Sequence, residues 1–145
     1  MSSQINTNNA PGAVGAYPHA RKVGNLLFLS GIGPRAAGTS ASDPQVPGLQ
    51  LDKSGNFQSF DFEAQVHSVF ANVEAVLRAS GATLADLVDV TVFLTDMQRD
   101  FRVFNKIYAQ YFEGIDPKPC RTTVEVGALP TPIAIELKCI AEIKG

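Results

Sequence analysis

The strongest pattern along the chain is a pair of segments in which apolar residues recur at helical spacing. The first predicts a helix that begins after Asp61, a suitable N-cap, and ends near Gly81, with apolar positions at Phe62, Val66, Val69, Phe70, Val73, Val76 and Leu77. The second predicts a helix that begins at Asp100 and ends before Gly114, with one aromatic stripe at Phe101, Phe104, Tyr108, Tyr111 and Phe112. Each stripe predicts a face that packs on a core.

Runs of strand length surround these two helices. Residues Arg21–Ser30 hold short apolar stretches around a turn, which predicts two tightly connected strands. The β-branched run Leu87–Leu94 alternates polar and apolar positions and predicts a central strand. Near the end of the chain, Arg121–Val126 and Ile133–Ile143 also alternate, and we expect them to pair as an antiparallel hairpin.

The remaining segments are predicted to lack regular structure. Residues 1–15 are rich in Asn, Gly and small side chains and predict an irregular lead-in, whereas residues 31–58 are rich in Gly and Pro and predict a long loop. The predicted order is β-β-loop-α-β-α-β-β, an α+β fold in one domain (residues 1–145) with a mixed sheet and two helices on one face. The bare second face favours a closed homo-oligomer with clefts between its subunits.

Composition narrows the possible partners. Hydrophobic residues make up 45% of the chain and charged residues 18%, as in a globular protein. A net charge of -2 gives no basic footprint for nucleic acid or an anionic membrane, so we expect small molecules and copies of the chain as partners. No apolar run reaches the ~20 residues of a membrane span, and two cysteines are too few for a disulfide framework, so we expect a cytoplasmic protein. His19 and His67 lack metal-ligand spacing, and we expect no metal site.

The candidate chemistry lies on the predicted C-terminal hairpin. If its loop is centred on Leu129 and Pro130, then Arg121, Thr123 and Glu136 project from the same outer face. Arg121 presents a planar guanidinium that suits a substrate carboxylate. Glu136 can act as a general base if burial brings its pKa toward the working pH. The alternative is that Arg121 and Glu136 form only a cross-strand salt bridge.

Several motifs of the chain are specific enough to compare with known families: VGAYPH (Val14–His19), LSG (Leu29–Gly31), DVTVFL (Asp89–Leu94), PCRTTVEV (Pro119–Val126), LP (Leu129–Pro130) and IE (Ile135–Glu136). Together they resemble the RidA/YjgF/UK114 family of imine and enamine deaminases over roughly Ala10–Lys144. The resemblance implies a chorismate-mutase-like fold, a homotrimer with active sites between subunits, and no cofactor. It also implies that Arg121 binds the substrate carboxylate, that Glu136 positions water, and that Tyr17 lines the pocket.

Two positions depart from the common pattern of that family, which has Cys where this chain has Thr123 and Gln where it has Ile32. With the long loop and its Gly-Pro-Arg segment, the chain instead resembles the 2-aminomuconate deaminase branch, which serves the degradation of aromatic compounds. Thr123 is then expected to hydrogen-bond the substrate nitrogen or the water, and Ile32 to line the substrate pocket. The alternatives are a broad 2-iminobutanoate and 2-iminopropanoate deaminase, and a non-catalytic, carboxylate-binding or chaperone-like trimer.

A 2-aminomuconate substrate carries a second carboxylate, and a buried carboxylate requires a cation or several hydrogen-bond donors. Arg35, in the long loop, is the first candidate for this contact, and Arg21 or Lys22 is the second. We expect Arg35→Ala to reduce the discrimination between a dicarboxylate and a small imino acid.

Overall fold

The computed structural model describes residues 2–39 and 45–144, and in that part of the chain it has two α-helices and eight β-strands. The helices are α1 (Phe62–Ala79) and α2 (Met97–Tyr111). The strands are β1 (Ser2–Ile5), β2 (Ala20–Val23), β3 (Leu26–Leu29), β4 (Leu49–Leu51), β5 (Phe57–Phe60), β6 (Leu87–Leu94), β7 (Cys120–Glu125) and β8 (Ile135–Glu142).

Six strands form one sheet in the order β1-β2-β3-β8-β6-β7, and β4 pairs with β5 in a separate hairpin. Within the large sheet only β6 and β7 are parallel, since α2 carries the chain back between them. The helices cover one face, where Ile135, Leu137 and Cys139 of β8 are buried. We call the opposite face, which carries Glu136 and Lys138, the open face. The predicted α+β fold with a mixed sheet and two helices on one face is confirmed.

Helix α1 follows the predicted pattern closely. The Asp61 side chain accepts a hydrogen bond from the Ala64 N–H at 3.2 Å, which satisfies one of the free N–H groups of the first turn. The helix ends before Gly81, whose φ of 78° is readily adopted only by glycine. All seven apolar positions of the predicted stripe are buried. This helix and the central strand β6 were predicted correctly from the sequence, as was the β2–β3 pair.

Helix α2 begins earlier than predicted. Its N-cap is Asp96, whose carboxylate accepts a hydrogen bond from the Arg99 N–H at 3.0 Å, so the first turn precedes Asp100. Asp100 is instead almost fully buried inside the helix and accepts two hydrogen bonds of 2.7 Å from the Arg99 guanidinium. The aromatic stripe starts only at Phe101, so the periodic pattern did not reveal the first turn.

The prediction of a C-terminal hairpin is wrong, because β7 and β8 do not pair with each other. Strand β6 lies between β7 and β8, pairing in parallel with the first and antiparallel with the second. The register of each strand on β6 therefore decides which residues of β7 and β8 lie on the same face of the sheet. Thr122 and Val124, which were expected under the helices, are exposed, whereas Arg121 and Thr123 project toward the helix-covered face.

The two segments predicted as irregular contain strands. Ser2–Ile5 forms β1, which pairs with β2, and its side chains are mostly exposed, so no apolar alternation marks it in the sequence. The segment 31–58 contains β4 and the first two residues of β5, and these two strands form a short hairpin with a bulge. Residues 40–44 of that loop lie outside the described residues.

Candidate active site

A cleft on the open face is built around the carboxylate of Glu136. Its walls are Tyr17, Ser30, Gly31 and Pro130, and an adjoining part is lined by Val14, Gly33, Arg35, Thr131 and Ile133. Strand β8 supplies Glu136, and the segment after β3 supplies Ser30 and Gly31. The N-terminal segment before β2 supplies Tyr17.

Gly31 makes room for the Glu136 carboxylate. A Cβ at position 31 would lie 2.7 Å from Oε2 and 3.0 Å from Cδ of Glu136, closer than a side chain atom can approach without displacing the carboxylate. The next residue fixes this arrangement, because the Ile32 N–H donates to the Leu137 carbonyl at 2.8 Å and the Leu137 N–H donates back at 2.9 Å. The segment around Gly31 is therefore anchored to the strand that carries Glu136.

Glu136 is half-buried in this cleft, and desolvation by burial raises its pKa above the ordinary value of a glutamate. None of the described cations forms an ion pair with it. A carboxylate whose pKa is raised in this way is a better proton acceptor than an exposed one. Burial therefore shifts the pKa of Glu136 in the direction that a general base requires.

The raised pKa has a consequence for stability. The folded protein binds the Glu136 proton more tightly than the unfolded chain does, so ionising Glu136 costs folding free energy as pH rises through the folded-state pKa. We expect Glu136→Gln to raise the Tm relative to wild type at pH 7, and to raise it less or not at all at pH 4. Thermal unfolding at the two pH values measures this difference. Glu142→Gln, an exposed position on the same face of β8, corrects for the loss of one charge; an equal Tm difference at both pH values would contradict the prediction.

The predicted pocket residues Tyr17 and Arg35 both reach the cleft, and Ile32 lines a neighbouring cavity together with them. Tyr17 is 43% exposed, and its hydroxyl accepts a hydrogen bond from the Val14 N–H at 3.2 Å. Arg35 donates from Nη2 to the Gly12 carbonyl at 2.5 Å. The Ile32 side chain is only 7% exposed and packs largely in the core, while its backbone pairs with β8.

Arg121 and Thr123 lie on the other side of the sheet from Glu136. Arg121 pairs with Val90 and Glu136 with Phe93, three positions apart on β6, and an odd separation places two side chains on opposite faces. The Arg121 guanidinium packs on α2, with Cζ 4.7 Å from the Tyr108 ring centroid. The prediction that Arg121, Thr123 and Glu136 of one chain share a face is wrong, because it depended on the hairpin that does not form.

A second polar cluster surrounds Arg121 at the edge of the sheet. Phe104 also lies under the guanidinium, at 5.7 Å, and the hydroxyls of Thr123 and Tyr108 are buried without a hydrogen-bond partner among the described residues. Burial raises the pKa of Tyr108 to about 12, so its hydroxyl keeps its proton at neutral pH. Strand β7 ends the sheet, and an unpaired sheet edge is a natural place for another subunit to approach.

Two parts of this architecture were not found from the sequence. Gly31 stands next to a glycine-rich loop, so its packing against Glu136 has no separate signal beyond the Leu-Ser-Gly motif. Thr131 lies between two prolines in a segment that was predicted only as the loop between two strands. The described residues contain no cluster of His, Cys, Asp and Glu suited to a metal ion, and none of their helices is long and apolar enough to cross a membrane.

Comparison with known proteins agrees with the motifs in the sequence. The model of the endoribonuclease L-PSP family, which is the RidA/YjgF/UK114 family, matches residues 7–143. The chain belongs to this family. Solved structures also match the fold: the crystal structure of yeast YEO7 aligns with a TM-score of 0.80 and 31% identity over 99% of this chain and 100% of its own.

Two further L-PSP relatives bear on chemistry. The chloroplastic Reactive Intermediate Deaminase A of Arabidopsis thaliana is 39% identical over 139 residues, which cover 96% of this chain and 65% of the relative. A crystal structure of TdcF from E. coli with bound serine aligns with a TM-score of 0.77 and 29% identity over 98% of this chain and 99% of its own. The chain is thus similar to a protein named as a deaminase of reactive intermediates and to one whose crystal structure holds a small amino acid.

Proposed function

We propose that this protein is a hydrolytic imine and enamine deaminase acting on 2-aminomuconate in the degradation of aromatic compounds. The observation that carries the proposal is the half-buried Glu136 carboxylate, held against Gly31 in a cleft and raised in pKa by desolvation. The likeness to Reactive Intermediate Deaminase A supports the same reaction class. The Thr at position 123, the Ile at position 32 and the Arg at position 35 support the aminomuconate branch.

The reaction needs a carboxylate anchor beside Glu136, and we propose that Arg121 of a neighbouring subunit supplies it. Within one chain the two side chains occupy opposite faces, so one subunit alone does not complete the site. Arg121 lies on an edge strand, is half-buried, and has no acidic partner among the described residues. A closed ring of subunits, as a homotrimer has, would set this edge against the open-face cleft of the next subunit.

The chemistry follows from these two groups. The enamine tautomerises to the imine, and Arg121 holds its carboxylate so that C2 faces the water bound to Glu136. Glu136 takes a proton from the water as its oxygen bonds to C2, and the C=N electron pair moves to nitrogen, which takes that proton back from Glu136. Glu136 then accepts the hydroxyl proton of the carbinolamine and passes it to nitrogen as the C–N bond breaks, which releases ammonia and the 2-oxo acid. Thr123, next but one to Arg121 on β7, would hydrogen-bond the nitrogen or the water.

Substrate preference tests this proposal. We expect the wild-type protein to release ammonia from enzymatically generated 2-aminomuconate with a kcat/KM at least about tenfold above that for 2-iminopropanoate, because a second bound carboxylate adds a charge-assisted contact. An ammonia-coupled assay measures both. A value for 2-iminopropanoate as high as that for 2-aminomuconate would indicate the broad imine deaminase instead, which the serine-bound TdcF relative favours. Carboxylate binding without ammonia release would indicate a non-catalytic binding protein.

A further inference from the structure

The cleft around Glu136 contains two polar groups that the hydrolysis does not use. Arg35 and Thr131 both line the part of the cleft that adjoins Glu136. Nη1 of Arg35 and Oγ1 of Thr131 are buried, and neither has a hydrogen-bond partner among the described residues. Buried donors normally have partners, so two free donors in one cleft indicate a place for an acceptor from outside the chain.

Arg35 is held firmly in position. The side-chain amide of Asn72 on α1 donates to the carbonyls of Gly33 and Arg35 at 2.9 and 2.8 Å, and the Ser68 hydroxyl donates to the Pro34 carbonyl at 2.7 Å. The guanidinium is fixed at its other end by its hydrogen bond to the Gly12 carbonyl. A guanidinium anchored at both ends meets a ligand without first being ordered, which favours binding.

No acidic side chain among residues 2–39 and 45–144 neutralises the charge of Arg35. None of the described acidic side chains forms an ion pair with Arg35, and the pKa of Glu136 is shifted by burial alone. Glu136 therefore is not the anion that the guanidinium requires. A planar guanidinium with a free N–H group matches a carboxylate, whose two oxygens can accept from it and from a neighbouring hydroxyl at once.

The backbone of Thr131 adopts a strained conformation. Its φ is 67°, in the left-handed region that a β-branched residue rarely adopts, between Pro130 and Pro132. A glycine would adopt this conformation without strain. Strained residues tend to persist where a side chain is needed at a site, and here the strain places the Thr131 hydroxyl in the same cleft as Arg35.

We propose that Arg35 and Thr131 form an anion subsite that binds the distal carboxylate of a dicarboxylate substrate while its imine carbon lies beside Glu136. The proposed subsite depends on the proposed deaminase function only in that the imine carbon of the substrate is placed beside Glu136. It makes the substrate class a dicarboxylate and assigns the contact to Arg35 and not to Arg21 or Lys22, which lie on β2 and do not line this cleft.

A binding experiment with unreactive probes tests the subsite without requiring turnover. Adipate and hexanoate have the same six-carbon chain and differ in one carboxylate. Calorimetry on the assembled wild-type protein is expected to show adipate binding about tenfold or more tighter than hexanoate. Arg35→Gln and Thr131→Val should remove most of that preference, and Arg35→Lys should restore part of it. Arg78→Gln, at an exposed arginine of α1, is the matched control and should leave the preference unchanged.

Kinetics then connect the subsite to the reaction. In Arg35→Gln the kcat/KM for 2-aminomuconate should fall about tenfold, mainly through KM, while that for 2-iminopropanoate should stay within about twofold. Equal binding of adipate and hexanoate to the wild type would overturn the subsite whatever the enzyme does. Tighter adipate binding with no ammonia from either substrate would support the subsite and overturn the deaminase function.

Thr131→Gly gives a readout that a purely structural role would not produce. Removing the strain should raise the Tm, while removing the hydroxyl should lower the preference for adipate over hexanoate. This variant also keeps the proposal testable if Arg35→Gln does not fold. An unchanged adipate preference in Thr131→Gly would remove Thr131 from the subsite.

Discussion

Glu136→Gln is expected to lower kcat/KM for 2-aminomuconate by about 100-fold or more, since general acid-base catalysis by a positioned side chain contributes factors of that size. Glutamine keeps the shape and can still contact water, but it cannot take the proton. The loss should therefore appear in kcat with little change in KM. The measurement is a steady-state ammonia-release assay on purified, correctly assembled protein.

The pH dependence of the same variants separates a base from a packing residue. Only ionised Glu136 accepts a proton, and its pKa is raised, so the wild-type kcat/KM should rise with pH along a limb that lies above the ordinary pKa of glutamate. That limb should be absent from the residual activity of Glu136→Gln. Glu142→Gln, on the same face of β8, should keep both the activity and the limb. If Glu136→Gln retained activity within about threefold of wild type, Glu136 would not be the base.

The helices and the central strand were predictable because their signals are local. In α1 the apolar spacing, the Asp61 cap and the Gly81 stop all act within one segment, and tertiary packing only reinforces them. Strand β6 was likewise marked by its own alternation. Strand β1 carries no such signal, because it is polar and depends on β2 for its hydrogen bonds.

The pairing of the C-terminal strands was predicted wrongly, and this error placed Arg121 on the same face as Glu136. Alternation in Arg121–Val126 tells which residues share a side of that strand, but not which strand lies beside it or which side is buried. Two runs close in sequence suggest a hairpin, yet α2 returns the chain so that β7 joins β6 at the edge of the sheet. Glu136 was therefore placed correctly on the open face, while Arg121 was assigned to the wrong one.

This opposite placement predicts that two inactive variants restore activity when they are mixed. If each site takes Glu136 from one subunit and Arg121 from the next, Arg121→Ala and Glu136→Gln should each be nearly inactive as homo-oligomers. In hybrids formed from equal amounts, about a quarter of the sites combine an intact Glu136 with an intact Arg121, so about a quarter of wild-type activity should return. Co-expression with two affinity tags, followed by the ammonia assay, measures the recovery.

The recovery is informative because only a shared site produces it. A site contained within one chain would have one defect in every subunit of the hybrid, and mixing would leave it inactive. A mixture of Glu136→Gln with the double variant Arg121→Ala, Glu136→Gln is the matched control, since no subunit then supplies an intact Glu136. If the hybrid of the two single variants were as inactive as this control, the proposed pairing of Arg121 with Glu136 across subunits would be wrong. Recovery of about a quarter of the activity would therefore mean that the carboxylate anchor and the base, which the sheet places on opposite faces of one chain, reach one substrate from two different chains.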